Sequence, residues 1–165
     1  MTQDEYYLNI AQAVKAKANC IGSRVGAVLV LDNRIISTGY NGTAEGTVNC
    51  LDGGCVRCKN RDSQYPSGTA YDICICVHAE QNAILSAARF GIKTENSTMY
   101  TTMQPCFNCS KAMLQAKVTK VIYVEPWSIQ NKWKKENLDL YQQYMQLLNC
   151  FEHGVHQLNF SKPES

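Results

Sequence analysis

The chain has 165 residues, 45% of them hydrophobic and 18% charged, with 16 basic against 14 acidic side chains and a net charge of +2. That balance predicts one folded domain with a single core and gives little support to a polyanionic partner such as nucleic acid. The longest apolar run, Val25 to Leu31 broken only by Gly26, is far too short to cross a bilayer, and the acidic opening MTQDEYY lacks the basic start of a secretory signal, so a cytoplasmic protein with no membrane association is expected.

Thr2 and Glu5 have capping-box spacing, and Tyr7, Ile10, Ala11, Val14 and Ala18 recur at helical intervals, which predicts a helix over about 3–18. Val25 to Leu31 reads as a strand buried on both faces, Asp32-Asn33 as a turn, and Arg34 to Tyr40 as the return strand of a hairpin. Residues 41–77 lack any strong period and are rich in Gly, Asn, Asp and Cys; a loop of that length is uncommon in a compact domain unless something orders it. Ala79 to Phe90 is a helix with Gly91 placed to end it, and Thr98 to Thr102 is a strand. Pro105 suits the first turn of a helix running to about Ala116. Val118 to Val124 is a strand, Asn137 to Leu148 a helix, Val155 to Leu158 a last short strand, and 161–165 a frayed tail. Lys132, Lys134 and Lys135 around Trp133 form the one basic cluster and read as a solvated helix start. The order α-β-β-α-β-α-β-α-β implies a single α/β domain over 1–165. Its mixed five-stranded sheet joins an antiparallel hairpin to parallel strands and carries helices on both faces.

Nine cysteines, at 20, 50, 55, 58, 74, 76, 106, 109 and 150, are the unusual count. In a reducing compartment, Cys-x-x-Cys spacings read as metal ligands rather than disulfides. His78 begins one predicted helix, while Cys106 and Cys109 open another at i and i+3, on one face. Helix N-termini favour thiolates, and one imidazole with two thiolates suits tetrahedral zinc. A structural zinc is closed by four protein ligands; three leave a position for water, whose pKa zinc lowers to roughly 7. Glu80, two residues after the imidazole, can shuttle that water's protons. The plain alternative is a buried histidine and two unrelated cysteines. Cys150, at an apolar helix end, reads as a core thiol.

His78-Ala79-Glu80 followed by Pro105-Cys106-Phe107-Asn108-Cys109 resembles the cytidine/deoxycytidylate deaminase superfamily, whose signature is H-x-E and then P-C-x-x-C. "RVGAVLV", "ISTGYNG", "HAEQNAI" and "MYTTMQPCFNC" follow one another as they do in deoxycytidylate deaminases, over about residues 6–126. The resemblance implies a three-layer α/β/α fold of the cytidine-deaminase type. It also implies zinc-dependent hydrolysis of dCMP to dUMP and ammonia, with Glu80 as proton shuttle and His78, Cys106 and Cys109 as zinc ligands. Asn41 becomes a sugar contact and the backbone of Ala79 a contact for the pyrimidine carbonyl. Trp127 stands where relatives often have a tyrosine beside the base, and Arg24 or the lysine cluster are candidates for the substrate phosphate. Tyr40, Asn41 and Gly42 lie where such enzymes bind regulatory nucleotides; activation by dCTP with Mg²⁺, inhibition by dTTP and a homo-oligomer, with a hexamer favoured, are implied in the same way. Relatives of this type carry a second zinc, for which Cys20, Cys50, Cys55 and Cys74 are the first choices. Cys58 and Cys76 can replace either member or allow a bridged pair of ions, and a reduced, metal-free set is the alternative. The same chemistry on dCTP is the nearest rival. A zinc-binding interaction module with no activity is the reading from a different class, opposed by the three-ligand count and by Glu80.

Overall fold

The computed structural model describes residues 1–159, so the predicted frayed tail at 161–165 lies outside the described residues. Helix α1 spans Gln3–Lys15 and opens with the capping box of Thr2 and Glu5. It ends before the predicted Ala18 because the chain tightens into i to i−3 bonds, from the Ala16, Lys17 and Ala18 N–H groups to the carbonyls of Ala13, Val14 and Lys15. Strands β1 (Gly26–Leu31) and β2 (Arg34–Tyr40) form the hairpin, turned by Asp32 and Asn33 at φ of 49° and 58°, the left-handed pair that a type I′ turn requires.

The segment expected to lack structure contains short pieces of it: β3 (Gly42–Thr43), the four-residue helix α2 (Val56–Lys59) and β4 (Cys76–Val77), with β3 and β4 paired antiparallel. Helix α3 (Ala79–Arg89) follows. Its end is the predicted one, with Gly91 at φ 65°: the Gly91 N–H bonds to Ala88 O and the Ile92 N–H to Ala87 O. Strand β5 (Thr98–Met103) leads to α4 (Phe107–Gln115), whose N-cap is Cys106. Pro105 therefore precedes the cap instead of occupying the first turn.

Strand β6 is Lys120–Glu125, shifted from the predicted 118–124 because Val118 and Thr119 still close the turn, bonding to Met113 O and Ser97 O. Helix α5 (Ile129–Glu136) was not predicted: it is short, mostly polar, and turns only Ile129 and Trp133 inward, too little for a readable period. Lys132, Lys134 and Lys135 are exposed on its later turns rather than at a helix start. Helix α6 (Leu138–Leu148) is capped by Asn137, which accepts from the Leu140 N–H at 3.2 Å, and β7 (Val155–Gln157) ends the described fold. Cys150 lies past the end of α6 and is exposed, so it is not a core thiol.

The sheet order is β2-β1-β5-β6-β7; β1 runs antiparallel to both neighbours, and β5, β6 and β7 are parallel. One face packs Val28, Val30, Tyr100 and Ile122 under Tyr7, Leu8 and Ala11 of α1. The other packs Ala27, Leu29, Met99 and Val121 beneath α3, α4 and α6. The expected three-layer α/β/α architecture is thus present. Among the described residues no helix is long and apolar enough to cross a membrane.

One close approach sets the site. Gly39 of β2 lies directly beneath α3, and a Cβ there would fall inside van der Waals contact with the Ala79 carbonyl and the Ala83 N–H. Both neighbours are backbone, so relief requires moving the helix. Gly39→Ala is expected to lower unfolding stability by about 1–3 kcal/mol or more, with weaker metal retention, because α3 begins at the proposed ligand His78. An unchanged denaturant midpoint and metal content would show that the approach is not restrictive.

Candidate active site

Two helix starts converge at the carboxyl ends of β5 and β6. His78 is the N-cap of α3; Cys106 is the N-cap of α4, and Cys109 lies one turn in. The His78 Nδ1 is 3.3 Å from Cys106 Sγ and 3.4 Å from Cys109 Sγ. A tetrahedral zinc with bonds of about 2.3 Å to sulfur and 2.0–2.1 Å to nitrogen would hold such atoms roughly 3.5 Å apart. The donor set fits that ion, and three ligands leave a fourth position.

Glu80 is 4% exposed, and the Cys109 thiol donates to its Oε2 at 3.5 Å. Burial pushes the Glu80 carboxyl up to about 7, with the neighbouring Cys106 adding to the effect. Burial by itself would depress His78, but the hydrogen bond and charge of Cys106 outweigh it and raise the imidazole to about 9. Cys106 is lowered to about 4, first by its hydrogen bond with Cys109 and then by His78, whereas Cys109 is raised.

His78 and Cys106 open onto a cavity of about 370 Å³, within the usual range for a small-molecule site, with Cys109 buried behind them. Asn41, Ala79, Glu80 and Trp127 all line it. Both ends of the Asn41 amide are engaged: Nδ2 donates to Ser23 O at 2.6 Å, and Oδ1 accepts from the Val25 N–H at 2.7 Å. Each end keeps one further donor or acceptor position. Ala79, the first residue of α3, has an N–H without an intrahelical acceptor. Trp127 is 7% exposed and packs edge-on against Trp133 and Tyr144 at 5.1 and 5.4 Å between centroids, while its backbone N–H bonds to Gln104 Oε1. The Tyr144 hydroxyl in turn donates to Pro105 O at 2.7 Å, tying α6 to the residue before Cys106.

Other expected contacts are placed elsewhere. Arg24 is exposed and absent from the cavity lining, as are the α5 lysines. Tyr40 is exposed, and Gly42 lies in the β3–β4 pair against Asn19. The cations lining the cavity are Arg57 and Arg61, which sequence reasoning passed over because nothing in the spacing of the loop distinguishes them. Arg57 is buried, its guanidinium donating to Thr69 O at 2.9 Å and lying 4.8 Å over the Tyr71 ring. Arg61 donates to Ile21 O at 2.7 Å and is more exposed. Tyr71 meets the His78 ring edge-on at 5.7 Å.

The remaining cysteines do not form the expected quartet of Cys20, Cys50, Cys55 and Cys74. They divide into two groups able to hold a metal, Cys20, Cys50, Cys58 and Cys76, and Cys55, Cys58, Cys74 and Cys76. The reason is topological: α2 inserts Cys58 and β4 inserts Cys76 between the two outer pairs.

Residues 1–125 match the family model described as the cytidine and deoxycytidylate deaminase zinc-binding region. The deoxycytidylate deaminase of Schizosaccharomyces pombe is 42% identical over 120 residues, which are 73% of this chain and 36% of that protein. That of Mycobacterium phage D29 is 38% identical over 127 residues, 73% of this chain and 92% of the phage protein. The chain spans well under half the length of the yeast relatives it matches, 36% and 38%. A dCMP deaminase from cyanophage S-TIM5, solved in complex with dCMP and dUMP, superimposes with a TM-score of 0.64 at 27% identity, covering 93% of this chain and 95% of that one. With its H-x-E and P-C-x-x-C residues gathered at one cavity, the chain belongs to the cytidine and deoxycytidylate deaminase zinc-binding family.

Proposed function

We propose that this protein hydrolyses dCMP to dUMP and ammonia, using a zinc ion held by His78, Cys106 and Cys109. The observation carrying the proposal is the buried Glu80 carboxyl, which lines the cavity with His78 and Cys106 and touches Cys109, the third member of a donor set that fits zinc. A structural ion has no use for such a group, whereas a hydrolytic site has. When bound, zinc supplies a water made strongly nucleophilic near neutral pH. Glu80 Oε2 would take one proton from that water and pass it to the ring nitrogen during attack at the amine-bearing ring carbon, then take the proton of the added hydroxyl and pass it to the departing amine. Bond-making to oxygen and loss of the carbon–nitrogen bond then balance as water added and ammonia released. The carboxyl is suited to both roles because burial holds it near neutrality rather than in the ordinary carboxylate range.

The Ala79 N–H accepts no intrahelical duty and is offered to the pyrimidine carbonyl; Asn41, already fixed by Ser23 and Val25, has one donor and one acceptor position left for the sugar. Trp127 forms an aromatic wall whose orientation is locked by Trp133 and Tyr144. Arg61 and Arg57 take the place of Arg24 as the groups proposed to face the nucleotide phosphate.

The first measurement is product formation from deoxycytidine, dCMP and dCTP, each incubated separately with zinc-replete protein. Dominant dUMP formation is expected; preferential turnover of dCTP would move the assignment to triphosphates, and no turnover of any would remove it. Glu80→Gln is expected to lower kcat for dCMP about 10²–10⁴-fold with zinc content unchanged, and full retention of activity would refute the shuttle. Arg61→Gln is expected to raise KM for dCMP about 10-fold or more, the scale of one lost charge-assisted bond, while leaving kinetic or inhibition constants for deoxycytidine within about twofold. Equal losses with nucleotide and nucleoside would assign Arg61 to the loop's structure rather than to phosphate.

A further inference from the structure

The cysteine-rich segment has no ordinary core. Its interior is Cys20, Cys50, Cys55, Cys58 and Cys76, with Ile21 and Cys74 packed against them. Helix α2 has four residues and β3 and β4 have two each, so no element here is long enough to hold itself. Thiols are weak partners for one another, and six gathered in one place would add little to stability as small apolar groups. Their spacing points to another role.

Cys20 Sγ is 3.8 Å from Cys58 Sγ, and Cys58 Sγ is 3.9 Å from Cys76 Sγ. On the other side, Cys55 Sγ and Cys58 Sγ are each 3.7 Å from Cys74 Sγ. These distances are far longer than the roughly 2.05 Å of a disulfide. They match the edge of a tetrahedron around zinc, which is roughly 3.8 Å for metal–sulfur bonds of about 2.3 Å. Backbone groups also aim at the sulfurs: the Ile21 N–H at Cys50, Gly22 at Cys20 and Cys58 at Cys55, at 3.4, 3.4 and 3.5 Å. Such N–H to sulfur bonds are what coordinated thiolates need to spread their charge.

One ion cannot use this arrangement. Tetrahedral coordination within the first group leaves Cys55 and Cys74 as a close pair with no metal; coordination within the second strands Cys20 and Cys50. The two quartets have two members in common, Cys58 and Cys76, and these are themselves at edge distance. We infer that the segment binds two zinc ions in a six-thiolate cluster, with Cys58 and Cys76 bridging, Cys20 and Cys50 terminal on one ion, and Cys55 and Cys74 terminal on the other. The two ions leave the six thiolates with a residual double negative charge. This site is separate from the three-donor centre and stands or falls independently of the nucleotide reading.

Zinc per chain, measured by plasma mass spectrometry on the purified full-length protein, is expected to be three. Zinc-edge X-ray absorption of the same sample is expected to show a metal–metal path at roughly 3 Å, the separation of two tetrahedra sharing an edge. Cys58→Ala and Cys76→Ala should each release both cluster ions, dropping the content from three to one, whereas Cys50→Ala or Cys55→Ala should release one. Two zincs per chain without a metal–metal path would overturn the bridged pair in favour of a single ion. One zinc per chain that Cys106→Ala abolishes would overturn any metal role for the six cysteines, whereas one that persists in that variant would overturn the bridged pair in favour of a single ion. The two measurements on unsubstituted protein decide the matter even where a bridging variant fails to fold, and Glu80→Gln protein should retain three ions whatever its activity.

Discussion

The site depends on two helix N-termini meeting over one point. Neither helix brings a complete set of donors: α3 contributes one imidazole from its cap, and α4 contributes two sulfurs from its first turn. Their separation is fixed from below as well as by packing between them. Gly39 lets α3 rest directly on β2, and the Tyr144 hydroxyl holds Pro105, immediately before the α4 cap. Nitrogen and sulfur atoms are thereby brought to 3.3 and 3.4 Å, within reach of one tetrahedral ion. The fold brings the donors together, and the proposed zinc would use them.

The chemical half of this was open to reading from sequence because it is local. H-x-E and P-C-x-x-C each sit within a single helix start, where spacing alone decides which side chains share a face. The sheet was legible for a similar reason: β1 is apolar throughout and is buried on both faces between β2 and β5. What escaped was set by tertiary context. Helix α5 has one inward pair, Ile129 and Trp133, and its polar remainder hides it. Pro105 looks like a first-turn residue until Cys106 is seen to be the cap. Cysteine spacing marked the insertion as a candidate metal site but not the grouping of its thiols, because that depends on α2 and β4 pushing Cys58 and Cys76 into the middle. Arg57 and Arg61 gave no signal at all, since a loop without a period offers no way to tell inward from outward.

The insertion and the reaction centre are joined through β4. Cys76 is in the cysteine cluster, Val77 pairs with Gly42, and His78 follows as the cap of α3. On the facing strand, Gly42 follows Asn41, whose amide fixes the backbone at Ser23 and Val25. A two-residue ladder is marginal by itself. Anchored at one end by metal-bound thiolate and at the other by α3, it becomes a rigid spacer between the proposed cluster and the proposed zinc of the active site.

That connection separates two tasks. The H-x-E and P-C-x-x-C residues can activate water and move protons, but they cannot recognise which nucleotide is present. The proposed phosphate contact needs cations at a fixed distance from the reacting carbon, and the two arginines lining the cavity are carried by the segment around α2. Arg57 cannot swing freely, because Thr69 O and the Tyr71 ring hold its guanidinium, and Tyr71 in turn abuts His78. An insertion ordered by thiolate–metal bonds can keep such groups in place without a hydrophobic core of its own.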